Sequence, residues 1–222
     1  MTLKLDVVTF NVITYISVVG LNKIKGRTTM KTLLAILLFT FATFAQETSW
    51  KFDHAHSQIK FTVTHLVISE VSGNFKKFDG TVKTNGDDFT DAKIEFTIET
   101  NSIDTDNEKR DAHLQSDDFF NAEKYPQIKF ISKSMKKVGD NKYKLVGDLT
   151  IRDVTKEVEL DVTYGGTMND GYGNTKAGFK VTGTINRFDY NLKWNALLEA
   201  GGAVVGSDVK MECNIQLFKE SA

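Results

Sequence analysis

The 222-residue chain has one cysteine, Cys213, and one proline, Pro126. A single thiol closes no internal disulfide, so covalent cross-links do not hold this fold. No internal repeat, low-complexity tract or linker is present. No apolar run reaches the ~20 residues that a membrane-spanning helix needs. No basic cluster with interleaved aromatics appears, and the formal charge of −1 gives no electrostatic footprint for nucleic acid. A nucleophile elbow, a glycine-rich phosphate loop and a matched carboxylate pair are all missing. The sequence therefore gives no ground for expecting catalysis or a cofactor.

The N-terminal fifth has a character of its own. Met30-Lys31-Thr32 precedes an apolar stretch from Leu33 to Phe44, and Ala42-Thr43-Phe44-Ala45 offers small residues at a cleavage site. The expected organisation is an upstream over-extension at 1–29, a cleaved signal peptide at 30–45 and one domain at 46–222. No cysteine follows Ala45, which excludes a lipoprotein signal. The expected destination is the periplasm or the medium. From Gln46 onward 23 basic side chains face 28 acidic ones, a mildly acidic balance that serves solubility.

What is abundant is alternation. Ile59, Phe61, Val63 and His65 alternate with polar residues, as do Ile94, Phe96 and Ile98. The same holds for Ile128 and Phe130, Tyr143 to Ile151, Val158 to Tyr164, Phe179 to Ile185, and Val209 to Leu217. Period-two patterning with one charged face predicts half-buried antiparallel strands. Turn signals at Asn85-Gly86-Asp87, Gly139-Asp140-Asn141, Asn169-Asp170-Gly171 and Gly173-Asn174 separate them. The apolar phase slips between Phe75 and Phe78, which predicts a bulge at Lys76-Lys77. Two stretches break the pattern. Asn107–Gln115 reads as a helix with Asp106 as its cap, and Asn191–Leu198 reads as a second short helix. Pro126 fits the start of a strand. About eight strands without a second core predict an all-β, closed antiparallel, lipocalin-like barrel with a short helical insertion.

Sixteen phenylalanines are present. Phe61, Phe75, Phe96, Phe130 and Phe179 fall at inward phases, and Val63, His65, Ile98, Leu149 and Met211 share those faces. Phe119 and Phe120 follow the helical stretch and are placed to plug a mouth. Such an interior is either a solid core or the lining of an apolar cavity. Cys213 reads as a small buried hydrophobe. His54 and His56 form His-x-His, which on a strand puts both rings on one face, but no Cys or Glu completes a ligand set and no metal is expected. Asp104, Arg110, Asp111 and His113 read as a clamp in which Arg110 pairs with Asp104 or Asp111 and pins the insertion; acid–base chemistry is the alternative.

Several strings together resemble the YceI-like family. They run from Asp53 with His56-Ser57 and Phe61-Thr62-Val63-Thr64-His65-Leu66 through Val71-Ser72-Gly73-Asn74-Phe75 and Phe78-Asp79-Gly80. Ser102-Ile103-Asp104-Thr105, Arg110-Asp111-Ala112-His113-Leu114 and Ser116-Asp117-Asp118-Phe119-Phe120 are the most specific. Tyr125-Pro126, Gly147-Asp148-Leu149-Thr150-Ile151 and Asn186-Arg187 complete the pattern, which covers nearly all of 50–220. Asp153, Glu157 and Asn191 depart from it at turns and on the surface. The resemblance implies an elongated barrel cavity holding a polyisoprenoid or similar lipid, in an exported protein without established catalysis. It marks Asp104, Arg110, Asp111, His113 and Arg187 as polar supports. The alternatives are an envelope stress or structural protein without a ligand, and a metal-dependent enzyme. A homodimer is compatible with the sequence.

Overall fold

The computed structural model describes residues 47–86, 88–199 and 201–220. The expected over-extension and signal peptide lie outside the described residues. The strands are β1 (Glu47–Phe52), β2 (Gln58–His65), β3 (Ser69–Phe75), β4 (Phe78–Asn85), β5 (Asp88–Glu99), β6 (Ile103–Asp104), β7 (Gln127–Gly139), β8 (Lys142–Ile151), β9 (Val154–Asn169), β10 (Thr175–Asn186) and β11 (Val205–Lys219). Helix α1 (Glu108–Gln115) lies between β6 and β7. No helix among the described residues is long and apolar enough to cross a membrane.

Every pairing is antiparallel, and the order is β1-β4-β5-β7-β8-β9-β10-β11-β2-β3-β6 with a further β1–β11 ladder that closes the sheet. β11 uses one edge twice: Leu217 to Lys219 pair with β1, and Val205 to Asn214 pair with β2. β1 and β2 are thus two segments of one strand position, and β3/β4 and β5/β6 are likewise continuous in the chain. The result is the expected closed, eight-strand antiparallel barrel with one helix. Closure satisfies strand edges that would otherwise pair with other chains.

The predicted alternations become the strand faces. β8 reads exposed or intermediate at every second residue, and Tyr143, Leu145, Leu149 and Ile151 are buried between them. The predicted turn signals all fall at hairpins, with Asn141 in the left-handed region at φ 56°. Pro126 immediately precedes β7 and its carbonyl accepts the Thr100 N–H.

Four local expectations are corrected. Lys76-Lys77 is not a bulge within one ladder but the corner where the chain leaves β3, paired with β2, for β4, paired with β1. Both flanking rings still point inward, and Phe75 and Phe78 are buried. The cap of α1 is Asn107, whose side chain accepts the Arg110 N–H, while Asp106 sits outside at φ 59°. Residues 191–198 are not helical; Arg187–Tyr190 makes a 3-10 turn, and the following segment is irregular up to a bridge between Leu197 and Ala203. His54 and His56 lie in the turn between β1 and β2 rather than on a strand, and no group of three metal-ligating side chains gathers among the described residues.

Candidate functional site: an apolar cavity closed by a polar-braced lid

The inward faces of the barrel do not meet. They enclose a hollow in which the centre of a water molecule sweeps about 240 Å³. One water needs only ~10–15 Å³ of such space, so the hollow is far larger than a packing defect. Among its lining residues only Lys60 and Arg187 carry charge.

Phenylalanine shapes both ends. At the base Trp50 and Phe89 lie 5.1 Å apart between ring centroids, and Phe89 meets Phe179 edge-on at 4.8 Å and Tyr164 at 5.7 Å. Trp50 donates its indole N–H to Thr84 Oγ1 at 3.1 Å, which satisfies the polar atom of a ring only 1% exposed. Midway, Phe96 packs against Phe52 at 5.0 Å and Phe78 at 5.8 Å. Near the other end Phe61 meets Phe75, and Phe75 meets Phe120 edge-on. A Cβ on Gly73 would stand 2.5 Å from the Phe61 ring, so glycine there is the space in which that ring lies against the backbone.

Eleven of the twelve expected lining residues face this hollow: Phe61, Val63, Phe75, Phe96, Ile98 and Phe130, together with Phe119, Phe120, Leu149, Phe179 and Met211. His65 does not; it sits beyond Val63 on β2, opposite Ser69 and Val205. Cys213 also faces the hollow, and burial pushes its thiol up to about 12. The expected lining omitted Ile185, although it ends the alternating run from Phe179, and it omitted Leu192, Val205 and Leu114, which lie outside the alternating runs.

Over the mouth, residues 105–126 stand between β6 and β7, which do not pair. α1 itself is polar and has no fully buried residue; from it Leu114 reaches the cavity. The seal is Phe119, 6% exposed, with Phe120 beside it. Phe119 stacks on Trp194 at 5.6 Å, and His113 presents an edge to both rings.

The polar bracing differs from the expected clamp. Arg110 bonds to neither Asp104 nor Asp111: its Nε donates to Thr105 Oγ1 at 2.7 Å and its Nη2 to the Thr105 carbonyl at 2.6 Å. Asp111 accepts from the Thr105 N–H and hydroxyl, so the two charges meet through Thr105 rather than directly. Asp104 accepts from the Asp106 N–H and pairs with Lys76 at 3.2 Å; these hold its carboxyl below the usual range. His113 contacts Asp118 at 2.8 Å. All of these bonds fold the insertion on itself or onto the β3–β4 corner.

The residue that ties the insertion to the far side of the barrel is Arg152, which sequence reasoning did not single out. It occupies the β8–β9 turn at φ 54°. Its Nη1 donates to the carbonyls of Asp117, Phe119 and Asn191 at 2.9, 2.6 and 3.2 Å, and its Nη2 to Asp117 Oδ1 at 2.8 Å. Its guanidinium also lies 5.4 Å from the Tyr125 ring centroid. Arg187, at the end of β10, is 3% exposed and donates to four backbone carbonyls: Gly206, Leu192, Trp194 and Val205. It staples the segment after the 3-10 turn to the start of β11.

Asp53 secures the other family motif. Burial opposes its ionisation, but donation from Lys176 at 3.0 Å and from His56 at 2.9 Å overrides this and holds the carboxyl down to about 2. Gln216 Nε2 donates to the same oxygen at 3.0 Å, and Ser57 Oγ donates to the Gln216 carbonyl. Asp53, His56 and Ser57 therefore lock the β1–β2 turn to β10 and β11.

A closed barrel around an apolar hollow, with a braced lid, is an arrangement able to enclose an apolar molecule. Residues 50–217 match the YceI-like domain, and the chain belongs to the YceI-like family. UPF0312 protein SAS2572 of Staphylococcus aureus is 42% identical over 170 residues, which cover 76% of this chain and 96% of that protein. The Campylobacter jejuni YCEI protein superposes with a TM-score of 0.60 at 31% identity, covering 71% of this chain and 90% of that one. A polyisoprenoid binding domain from Saccharophagus degradans shares the fold, with a TM-score of 0.58 at 15% identity over 77% of this chain and 98% of that one.

Proposed function

We propose that this protein carries one long apolar molecule, a polyisoprenoid or a comparable fatty amphiphile, inside the barrel, for transport, storage or protection outside the cytoplasm. The observation that carries the reading is the continuous apolar lining from Phe89 at the base to Phe119 and Phe120 under the lid. The polyisoprenoid-binding neighbour with the same fold supports the ligand class.

The energetics fit a chain better than a compact polar ligand. Each CH₂ moved from water into such a lining gains ~0.8 kcal/mol. A chain of about 20 carbons therefore brings roughly 15 kcal/mol before the costs of association and ordering. Few directional contacts are needed, and few polar groups are offered.

Native mass spectrometry of the mature protein from its own cell envelope, followed by solvent extraction, tests the proposal. A co-purifying apolar mass of several hundred daltons is expected. Apoprotein that also takes up no fluorescent long-chain probe would overturn it. The export component is tested by N-terminal sequencing of the same material. Gln46 is the expected first residue, and a cytoplasmic protein beginning at Met1 or Met30 would refute export.

A further inference from the structure

The exposed apolar side chains of this protein gather at one end. Among the described residues Leu66, Val67, Ile68, Phe188 and Leu197 are exposed, and they lie in the β2–β3 turn and the β10–β11 connection. β2 and β10 run in the same direction as β8, whose last turn carries Arg152, so all five stand at the lid end. The other exposed large hydrophobics sit on β7 and on the β9–β10 hairpin. Ile68 is 87% exposed and Leu197 76%.

The turn is fixed by its backbone. Leu66 donates its N–H to the Val204 carbonyl at 2.9 Å, Val204 to Ala196 at 2.8 Å, and Ile68 to His65 at 3.3 Å. Leu197 bridges Ala203. A Cβ on Gly202 would stand 3.0 Å from Val67 Cγ2, so Val67 lies against that backbone. The β2–β3 turn and the segment before β11 therefore form one surface. Leu66 and Val67 hold φ 53° and 67°, a region unfavourable for a β-branched side chain and suited to Gly or Asn. Leu66, Val67, Ile68 and Leu197 neither join the buried core nor line the hollow. Val63 and Val205, on the strands that carry this surface, do line it.

Size and charge decide what covers the patch. Four aliphatic side chains expose on the order of a few hundred Å², short of the ~800 Å² per partner of a standard protein interface. Leu66 to Ser69 carry no charge, and Glu70 is paired with Lys210 at 2.8 Å, so an apolar phase can approach without stripping water from a bare ion. A long apolar chain leaves a lipid surface when it enters the hollow, and the patch stands at the mouth where that surface would be met. We propose that the β2–β3 turn and Leu197 form a docking tip that inserts into a lipid surface and holds the mouth against it while the ligand passes. The proposal rests on the lipid-carrier reading and adds the route by which the carrier is loaded.

Flotation of delipidated protein with phosphatidylcholine vesicles reads docking without any ligand, and uptake of a fluorescent long-chain probe in solution reads carriage. Wild type should float, and should still float at high salt, because the contact is apolar. Ile68→Ser combined with Leu197→Ser should cut partitioning roughly tenfold or more. Val67→Asn should cut it about threefold while Tm holds or rises, since Asn suits that backbone; a purely structural Val67 would instead lower Tm. Each variant should bind the probe in solution within about twofold of wild type. Variants that float like wild type, or wild type that does not float, would overturn the docking tip and, with the probe still bound, leave the carrier reading standing. Copies that cross-link through a cysteine placed at Ile68 and do not float would assign the patch to self-association and overturn the tip as well. Protein that neither floats nor takes up the probe would overturn both readings.

Discussion

Replacing Arg152 by alanine should open the lid while leaving the barrel folded. The side chain is 13% exposed and makes four hydrogen bonds to the insertion and the segment after β10. Hydrogen bonds to a charged group contribute about 1.5–3 kcal/mol each, but freed carbonyls at a rim recover water. A net loss of about 3 kcal/mol for the closed lid follows, equivalent to a roughly hundredfold rise in the open population. Because the lid lies apart from the strand ladders, this opening occurs below the free energy of global unfolding. Amide exchange at Phe120, Asn121 and Tyr125, whose N–H groups are bonded within the insertion, should accelerate by that factor. Release of a fluorescent polyprenyl analogue should accelerate with it, while Tm falls less than for a core truncation. Arg152→Lys should be intermediate, since an ammonium keeps the charge near Asp117 but cannot fork to three carbonyls. Arg110→Ala should do less, because its bonds go to Thr105 within the same insertion. Wild-type exchange and wild-type release in Arg152→Ala would refute the reasoning.

Phe96→Asp should abolish lipid retention and cost about 3–5 kcal/mol or more, since the ring contacts Phe52 and Phe78 and a carboxylate there has no partner; denaturant unfolding and lipid extraction measure both, and a stable lipid-loaded variant would show that the ring is dispensable. Asp53 has a depressed folded pKa, about 2 against 3.8, so its contribution is present above the unfolded value and is lost as pH falls from about 4 toward 2. Asp53→Asn should remove about 2 kcal/mol at neutral pH and flatten that acid limb, and parallel acid limbs for the two proteins would contradict the assignment. With its thiol pushed up to about 12, Cys213 should alkylate on the order of a thousandfold more slowly at pH 8 than a free thiol near 8.5; a maleimide time course that finishes as fast as for a small thiol would count against its burial.

Seven stretches of alternating sequence became β2, β5, β7, β8, β9, β10 and β11, because each has one face in the barrel and one in water. That condition writes a period of two directly into residue type. The elements that did not show are those where it fails. β6 is two residues long, and β1 is the short half of a strand position whose other half, β2, did show. The corner at Lys76-Lys77 looks like a bulge in sequence, since both shift the inward phase by one; only the identity of the partner strands separates them. Residues 191–198 have helix-compatible composition, yet Arg187 takes up the Leu192 and Trp194 carbonyls and the segment is irregular. A tertiary contact from one side chain outweighs propensity there.

The cavity wall was legible for the same reason as the strands, but the lid's bracing was not. Pairing Arg110 with Asp104 or Asp111 followed from opposite charges close in sequence. The chain instead inserts Thr105 between Arg110 and Asp111, and gives Asp104 to Lys76. Arg152 bonds across 33 to 39 positions, and nothing near it in sequence hints at Phe119 or Asn191. Its one local signal is its place in a two-residue turn, where φ 54° is unfavourable for a side chain of this size. A bulky residue tolerated there implies that its side chain has a use elsewhere. The same logic separates the two buried arginines. Arg152 has Asp117 to balance its charge and is explained by the lid it holds. Arg187 instead gives its donors to four backbone carbonyls and lays its guanidinium over the Phe188 ring at 4.1 Å, so its fork and its charge are both spent on holding the segment after β10 against β11.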